Sequence, residues 1–240
     1  MTEERKSLTE RSWDLRLAVQ RRIAEAAEGG YEDPGMKLFG VGISTINTRL
    51  GQLERATRSI VHNLQPRMLF DPLRRERAVN QRWWARGLEG HVIASGVNNA
   101  QHMALLAVCH PDAWVGEVEL SGLAIDERLA LFPGPLSVQG QPTAWLCSHP
   151  DLVAELCGLW TEIKREAMPI HDVPGLVRLT ERQLTTVSLL SQGHKDATIA
   201  RLQGVSPRTV TSDVGRILDA LGVGTRWEAG IVLGRVSMPA

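Results

Sequence analysis

Helix start and stop signals mark nearly every helix boundary in the last quarter of this 240-residue chain, residues 179–235. Thr180 followed by Gln183 forms a capping box, in which each side chain takes up a backbone amide that the first helical turn leaves unpaired. Ser206 before Pro207 is a second strong start, because proline at the first helical position has no amide to satisfy. The other signals are Gly193, Asp196, Gly204, Gly222 and a capping box of Thr225 with Glu228. Together they predict four short helices in one small bundle.

The third of these helices, from Ser206 to about Leu221, is amphipathic. Its apolar residues recur at spacings of three and four and therefore predict one buried stripe, made of Val210, Val214, Ile217 and Leu221. The opposite face carries hydroxyl and guanidinium groups, which suit a helix laid in the major groove of DNA. The residues that we predict to contact DNA are Arg208, Thr209, Thr211, Ser212 and Arg216.

This segment resembles the LuxR-type helix-turn-helix domain of bacterial transcription regulators over about 57 residues, from 179 to 235. The resemblance is carried by the opening LTERQ, the Gly193 turn, the stretch IARLQGVSPRTV and the ending LDALGVGTR. It implies that the third helix reads the operator, that the fourth pairs two subunits, and that the preceding chain is a sensor. The expected protein is a sequence-specific transcription regulator that binds double-stranded DNA as a homodimer, with an all-α four-helix domain at 179–240 behind an α/β sensor domain.

Some residues depart from this family's pattern. Thr211, Asp213 and Asp219 stand where groove-facing Lys or His is usual, and Gly215 costs about 1 kcal/mol relative to Ala in a helix. Residues 176–240 carry eight Arg and Lys against five Asp and Glu, a net of +3, whereas residues 1–175 carry 19 against 22, a net of −3. We therefore expect modest DNA affinity. The alternative is a bundle that docks a partner regulator while its aspartates repel DNA.

Composition narrows the class of protein further. A net charge of zero excludes a protein that binds nucleic acid over most of its surface, but it is compatible with one local nucleic-acid contact face. No apolar stretch reaches the roughly 20 residues that span a bilayer, and the first dozen residues are rich in charge, so we expect a cytoplasmic protein without membrane contact. No GxxxxGK[ST] phosphate loop is present, and we expect no cofactor.

The three cysteines Cys109, Cys147 and Cys157 are far apart, which favours reduced thiols over a disulfide framework. A metal site can be assembled from Cys147, His149 and Cys157. Because paired CxxC spacing is missing, the sequence predicts no metal.

Residues 1–65 are predicted to hold two helices, over 8–27 and 43–64. In the second helix apolar residues recur at alternating spacings of three and four through three heptads. Such a stripe is covered either by the same helix of a second subunit or by the body of its own domain. The residues that would form the dimer contact are Ile46, Leu50, Leu53 and Ile60.

Residues 66–168 alternate short apolar runs with helical stretches, which predicts an α/β sensor domain with a mixed sheet. The order of elements and residues 126–131 resemble the sensor part of actinobacterial LuxR-type regulators, whose middle domain looks like half of a phospholipase-D-like fold. Phospholipase-D-type catalysis needs a His nucleophile with a Lys two residues later, and none of the seven His has that Lys. We therefore expect a sensing domain without enzymatic activity.

A small-molecule or protein effector is expected at the carboxyl ends of these strands. Seven Trp against one Tyr is an unusual balance, and Trp83, Trp114 and Trp145 are candidates to line the effector pocket. Packing in a core or interface is the alternative for the same rings. Residues 169–178 contain two Pro and one Gly, and we interpret them as a linker that fixes the spacing of two DNA-binding heads.

Overall fold

The structure is a computed structural model that describes residues 6–27, 33–68, 70–71, 82 and 85–236. The described residues form two compact units, each of which is discontinuous in sequence. The first unit is drawn from Met1–Pro66, Val79–Ser95 and Gly116–Ala167. The second is drawn from Arg67–Ala78, Gly96–Val115 and Met168–Ala240.

Both helices and strands are present, as the expected mixed α/β class requires. The strands are β1 Met36–Val41, β2 Ile60–Gln65, β3 Glu89–Ser95, β4 Trp114–Gly116, β5 Gly122–Ile125, β6 Leu129–Pro133, β7 Thr143–Cys147 and β8 Met168–Pro169. The helices are α1 Leu8–Ala27, α2 Ile43–Ala56, α3 Gly96–Asn99, α4 Met103–Cys109, α5 Pro150–Glu166, α6 Glu181–Ser191, α7 Asp196–Gln203, α8 Pro207–Leu221 and α9 Arg226–Val236.

The first unit is built on a mixed sheet with the strand order β1-β7-β6-β5-β2-β3. Strands β2 and β3 run parallel, whereas β2–β5, β5–β6, β6–β7 and β1–β7 are antiparallel. The tight connection from β5 to β6 gives a hairpin, and the longer connection from β2 to β3 permits the parallel pair. A mixed sheet was expected from the sequence and is confirmed.

Helices cover both faces of this sheet. Val61 of β2 and Ile125 of β5 are register partners, and they pack with Leu50 and Leu53 of α2. Successive strand side chains point to opposite faces, so His62 lies on the other face, where it stacks on Trp160 of α5. Helices α1 and α5 pack against each other, and α5 also contacts β2, β3, β5 and β6.

The helix predicted over 43–64 is wrong in its second half. Helix α2 ends at Ala56, and residues 60–65 form strand β2 in the interior of the sheet. A spacing of four, such as Ile60 to Leu64, fits a strand of period two as well as a helix. The distinguishing residue is Val61, which is also buried and breaks the helical pattern. The body of its own domain thus covers the stripe, since Leu50 and Leu53 pack on the sheet and Ile46 lies close to Gly40.

The second unit contains α6 to α9 together with segments from the middle of the chain. Its core joins residues of α6, α8 and α9 with Leu105 of α4 and with Phe70, and its buried members are Phe70, Leu105, Leu184, Val187, Ile217, Leu221, Ala229 and Val232. Met68 is fixed nearby, because its amide donates to Asn99 Oδ1 and its carbonyl lies 2.9 Å from His102 Nε2. Three of the four C-terminal helices, α6, α8 and α9, therefore share one core with chain segments more than 70 residues upstream.

Strands β4 and β8 form an antiparallel pair in the second unit, with Trp114 opposite Pro169. The segment predicted as a linker, 169–178, begins in β8 and continues through a 3₁₀ turn at Ile170–Asp172, where Ile170 is fully buried. In the part of the chain that the structure describes, no helix is both long and apolar enough to cross a membrane.

Candidate nucleic-acid interface

The capping signals of the last quarter are formed in the structure. Thr180 and Gln183 exchange both bonds of a capping box at the start of α6, with the Thr180 amide 2.8 Å from Gln183 Oε1. Ser206 Oγ accepts from the Thr209 amide at 3.1 Å. Glu228 Oε2 accepts from the Thr225 amide at 2.9 Å, at the start of α9. These bonds satisfy amides that the first turn of each helix would otherwise leave unpaired.

One predicted cap differs. Lys195 occupies the N-cap position of α7, and Asp196 is the first helical residue. The Asp196 carboxylate accepts two hydrogen bonds from Arg226, both of 2.7 Å, and so links the start of α7 to the start of α9. The bond from Arg226 lowers the pKa of Asp196, although partial burial opposes it. A carboxylate used in this way is not available as a cap.

Helix α8 presents two distinct faces. Its apolar stripe is buried as predicted, with Val210, Val214, Ile217 and Leu221 at most 5% exposed. On the outer face Arg208, Thr211, Ser212 and Arg216 are exposed, while Thr209 is half-buried. Of the five predicted DNA contacts, the structure therefore brings four to one solvent-facing surface.

The two arginines on this surface are free of ion pairs within the described residues. They are eight residues apart, which corresponds to about 12 Å along the helix axis. The hydroxyls are partly engaged, because Thr209 Oγ1 lies 2.9 Å from Ser206 Oγ and Thr211 Oγ1 donates to the Pro207 carbonyl. Arg208 and Arg216 can thus bind an anion without first breaking a salt bridge.

Asp213 is not on the exposed face of α8, contrary to the expectation from the sequence. It is only 2% exposed, and its carboxylate accepts from Arg182 Nε at 2.8 Å and from a terminal nitrogen of Arg182 at 3.0 Å. These bonds and the charge of Asp213 raise the pKa of Arg182. Because Asp213 lies three residues after Val210 and four before Ile217, it flanks the buried stripe. Only Asp219 of the two suspected aspartates is exposed on α8.

Two of the three predicted effector residues are described, and they belong to different units. Trp83 lies outside the described residues. Trp114 is a half-buried residue of β4 in the second unit, whereas Trp145 belongs to β7 in the first unit and is 8% exposed. The indole nitrogen of Trp145 is buried and finds no hydrogen-bond partner among the described residues. This packing fits the core alternative for Trp145 better than a ligand-lining role.

A cleft of about 480 Å³ opens in the first unit, and neither Trp114 nor Trp145 is among the residues that line it. It lies where β2 and β6 reach their carboxyl ends, and Val19, Ile23 and Phe132 give it an apolar lining. Arg16 is the only charged residue among the described lining positions. The volume falls in the range of small-molecule sites. No single motif marks it, because six lining residues come from α1 and the others come from positions 66, 120–121 and 132–135.

The metal site imagined from Cys147, His149 and Cys157 does not form. His149 Nε2 lies 2.8 Å from Asp33 Oδ2, and Cys147 is fully buried in β7. Cys157 instead lies close to His62 and Glu127, and the potential ligand atoms of these three residues are all within 4.8 Å of one another. Burial raises the pKa of Cys157 to about 11, and the Glu127 carboxylate adds to the effect.

No protein-family model matches this chain, and no curated protein matches it in sequence. Solved structures do resemble it. TrmBL2, an archaeal chromatin protein whose structure shows a novel mode of DNA binding, is 10% identical, with a TM-score of 0.39 over 67% of this chain and 64% of that one. Nuc from Salmonella typhimurium, a phospholipase D family member, is 8% identical, with a TM-score of 0.39 over 55% of this chain and 97% of that one.

Phosphatidylserine synthase from Haemophilus influenzae Rd KW20 is 13% identical, with a TM-score of 0.42 over 73% of this chain and 46% of that one. The chain therefore spans less than two thirds of TrmBL2 and less than half of the synthase. At these identities and TM-scores none of the likenesses assigns a substrate or a ligand to the chain.

The prediction that the chain has no enzymatic activity is contradicted by these comparisons, because the structures it resembles include a phospholipase D family member and a phosphatidylserine synthase. The sequence argument excluded a single mechanism, a His nucleophile with a Lys two residues later. A fold can carry other chemistry at other residues, so that argument does not extend to enzymes in general. We withdraw the prediction.

Proposed function

We propose that this protein is a DNA-binding transcription regulator in which α8 lies in the major groove of DNA. The observation that carries the proposal is the outer face of α8, a helix anchored by its apolar stripe. On this face two arginines that form no ion pair with any described residue stand beside exposed hydroxyls. Guanidinium groups suit guanine edges and phosphates, and hydroxyls bind either. Helices α7 and α8, joined through the left-handed Gly204, form the helix-turn-helix of a LuxR-type domain.

The charges around this face support a nucleic-acid partner. Between 195 and 221 the exposed cations are Lys195, Arg201, Arg208 and Arg216. Of the three aspartates in the same stretch, Asp196 is paired with Arg226 and Asp213 is buried against Arg182. Asp219 is the remaining carboxylate. The local balance is therefore more positive than the formal count of residues suggests, and phosphate neutralisation supplies most non-specific affinity.

The regulator acts as a homodimer through α9. Trp227 is 80% exposed and Ile231 is 45% exposed, and a spacing of four places both on one side of that helix. Large apolar side chains exposed together are a common feature of protein interfaces. A two-fold pairing of two copies would set the two α8 helices on half-sites about 34 Å apart, one turn of DNA.

The cleft of the first unit is the place where an effector would bind. Its apolar lining suits a small hydrophobic molecule, and Arg16 supplies a charge for an acidic group on that molecule. In this scheme the effector alters the DNA affinity of the dimer, so that the two sites are linked by a coupling free energy.

The test is binding of the full-length protein to DNA from upstream of its own gene, measured by fluorescence anisotropy at several salt concentrations. The variant is R208A/R216A. If both arginines contact phosphates, its slope of log affinity against log salt is about two units shallower than that of the unmodified protein, and its affinity falls at least tenfold. If one of them reads a base, affinity for the preferred site falls more than affinity for unrelated DNA.

The matched control is R128A/R165A, which removes two exposed arginines from the first unit and changes the net charge equally. We expect it to bind DNA as the unmodified protein does. Loss of affinity in both double variants to the same extent would show that only net charge matters, and the proposed role of α8 would be wrong. Absence of any salt-sensitive binding would favour a bundle that docks a partner protein.

A further inference from the structure

Two histidines stand side by side on the first unit's parallel strand pair. His62 of β2 and His91 of β3 are register partners, so their side chains lie on the same face of the sheet. His62 is only 6% exposed, and its Nδ1 atom is buried without a hydrogen-bond partner among the described residues. Buried ring nitrogens are normally paired, and an ion or a water molecule is one explanation for a nitrogen that is not.

The ring of His62 is held in place by α5. It stacks on the indole of Trp160 with 4.1 Å between ring centroids and 8° between planes. Cys157 lies three residues before Trp160 in the same helix, so its thiol is on the same side of α5. The helix thus fixes the imidazole and brings a sulfur atom next to it.

The third member, Glu127, is placed by an unusual turn. Asp126 and Glu127 both have positive φ, 50° and 53°, in the tight turn that joins β5 to β6. Turns of this kind favour Asn and Gly at these positions. Asp126 accepts hydrogen bonds from the amides of Arg58, Ser59 and Ile60. Those bonds explain why an aspartate stands at position 126. They do not explain the glutamate at position 127, where the positive φ favours glycine.

From this juxtaposition we propose that His62, Glu127 and Cys157 bind a divalent transition-metal ion of the zinc class. One imidazole nitrogen, one carboxylate oxygen and one thiolate sulfur are the donor types that Zn²⁺ takes in proteins. Three protein ligands leave the fourth position of a tetrahedral site open to water or to a small ligand. The exposed Glu127 gives the ion a path from solvent.

The distances suit such an ion after a small adjustment. The ligand atoms are at most 4.8 Å apart, whereas tetrahedral ligands bound at about 2.0–2.3 Å lie about 3.3–3.8 Å from one another. Rotation of the exposed Glu127 and the half-buried Cys157 side chains closes the difference while Trp160 keeps His62 fixed. A thiolate and an imidazole are poor ligands for Ca²⁺ and Mg²⁺, which take oxygen.

The experiment is titration of the reduced full-length protein with Co²⁺, which reports a thiolate ligand by a charge-transfer absorption band, followed by competition with Zn²⁺. The unmodified protein is expected to bind one Co²⁺ with that band and to release it to Zn²⁺. Cys157→Ser abolishes the band. Cys109→Ser, the matched control, removes another half-buried thiol and keeps the band.

Glu127→Gly is the decisive variant, because glycine favours positive φ and the fold is retained. It removes a direct ligand, so the affinity for Co²⁺ should fall by more than the roughly 10–100-fold that loss of an outer-shell partner costs. Absence of the band in the unmodified protein, its survival in Cys157→Ser, or unchanged affinity in Glu127→Gly would each overturn the proposal. The result does not depend on DNA binding, which is measured separately.

Discussion

Leu105 tests whether α6 to α9 depend on the middle of the chain for their stability. Its side chain is fully buried in the core shared with Leu184 and Val187 of α6 and Ile217 of α8. Leu105→Ala removes three carbon atoms, which at about 0.8 kcal/mol each amounts to about 2.4 kcal/mol of transfer free energy. The cavity left among rigid helices adds to this, and buried Leu→Ala changes cost about 2–5 kcal/mol in total. We expect a loss of about 3 kcal/mol.

Hydrogen exchange measured by mass spectrometry reports this loss segment by segment. A change of about 3 kcal/mol should lower the protection of amides in α6 and α8 by roughly 100-fold, since every 1.4 kcal/mol is a factor of ten. Amides of β5 and β6, which belong to the first unit, should keep their protection. The comparison is internal to one sample and does not require the whole chain to unfold in a single step.

Val97→Ala is the control, because Val97 is an aliphatic residue of the same unit that is 89% exposed. Its change should stay within about 0.5 kcal/mol. Unaltered protection of α6 and α8 in Leu105→Ala would refute the reasoning. The four helices would then hold together without α4, as an independent four-helix domain would.

Three further outcomes follow from single positions. Gly222→Ala should lower stability by about 1 kcal/mol, because Gly222 has a φ of 65°. Gly215→Ala, in the middle of α8, should raise stability by about 1 kcal/mol, and thermal unfolding measures both changes. Glu127→Gly should raise stability by roughly 1 kcal/mol in the absence of metal, and a lower melting temperature would contradict the strain at φ 53°. Burial raises the pKa of Asp126, but the amides at the start of β2 outweigh it, so its pKa is lowered. The carboxylate of Asp126 therefore contributes fully to folding stability above the unfolded pKa of about 3.9, and this contribution is lost as pH falls through the pKa of the folded state. Asp126→Asn should therefore reduce the loss of stability at acid pH in a series of denaturation measurements.

The sequence predicted the features that are set by residues close together in the chain, namely helix caps and helix ends. The boxes at Thr180 and Thr225, the start at Ser206 and the left-handed Gly222 are local hydrogen-bond and backbone effects, and all are formed. The buried stripe of α8 follows from spacing alone in the same way. The spacing of four between Ile60 and Leu64 is compatible with both the helical and the strand period, so the local pattern could not distinguish helix from strand there.

The rest depended on pairings between distant residues. The sequence predicted that Asp213 would be an exposed charge on α8. In the structure it is paired with Arg182, which lies 31 residues earlier in another helix. The cluster of His62, Glu127 and Cys157 draws on a strand, a turn and a helix, with no spacing motif to reveal it. The lining of the cleft likewise joins one face of α1 to segments from distant parts of the chain. Such sites arise from topology, and a single sequence offers no local signal for them.

The division of the chain also changes how the proposed effector binding and the proposed DNA binding could be coupled. A sensor and a reading head joined by one linker at 169–178 would communicate through that linker alone. The chain instead passes between the two units five times, after Pro66, between Asp71 and Arg82, and after Ser95, Val115 and Ala167. Segments that enter the core around α6 and α8, such as the one that carries Leu105, continue directly from strands of the first unit. Flexible residues in place of Pro174 and Gly175 would leave these other connections intact, so that substitution alone should not uncouple a response.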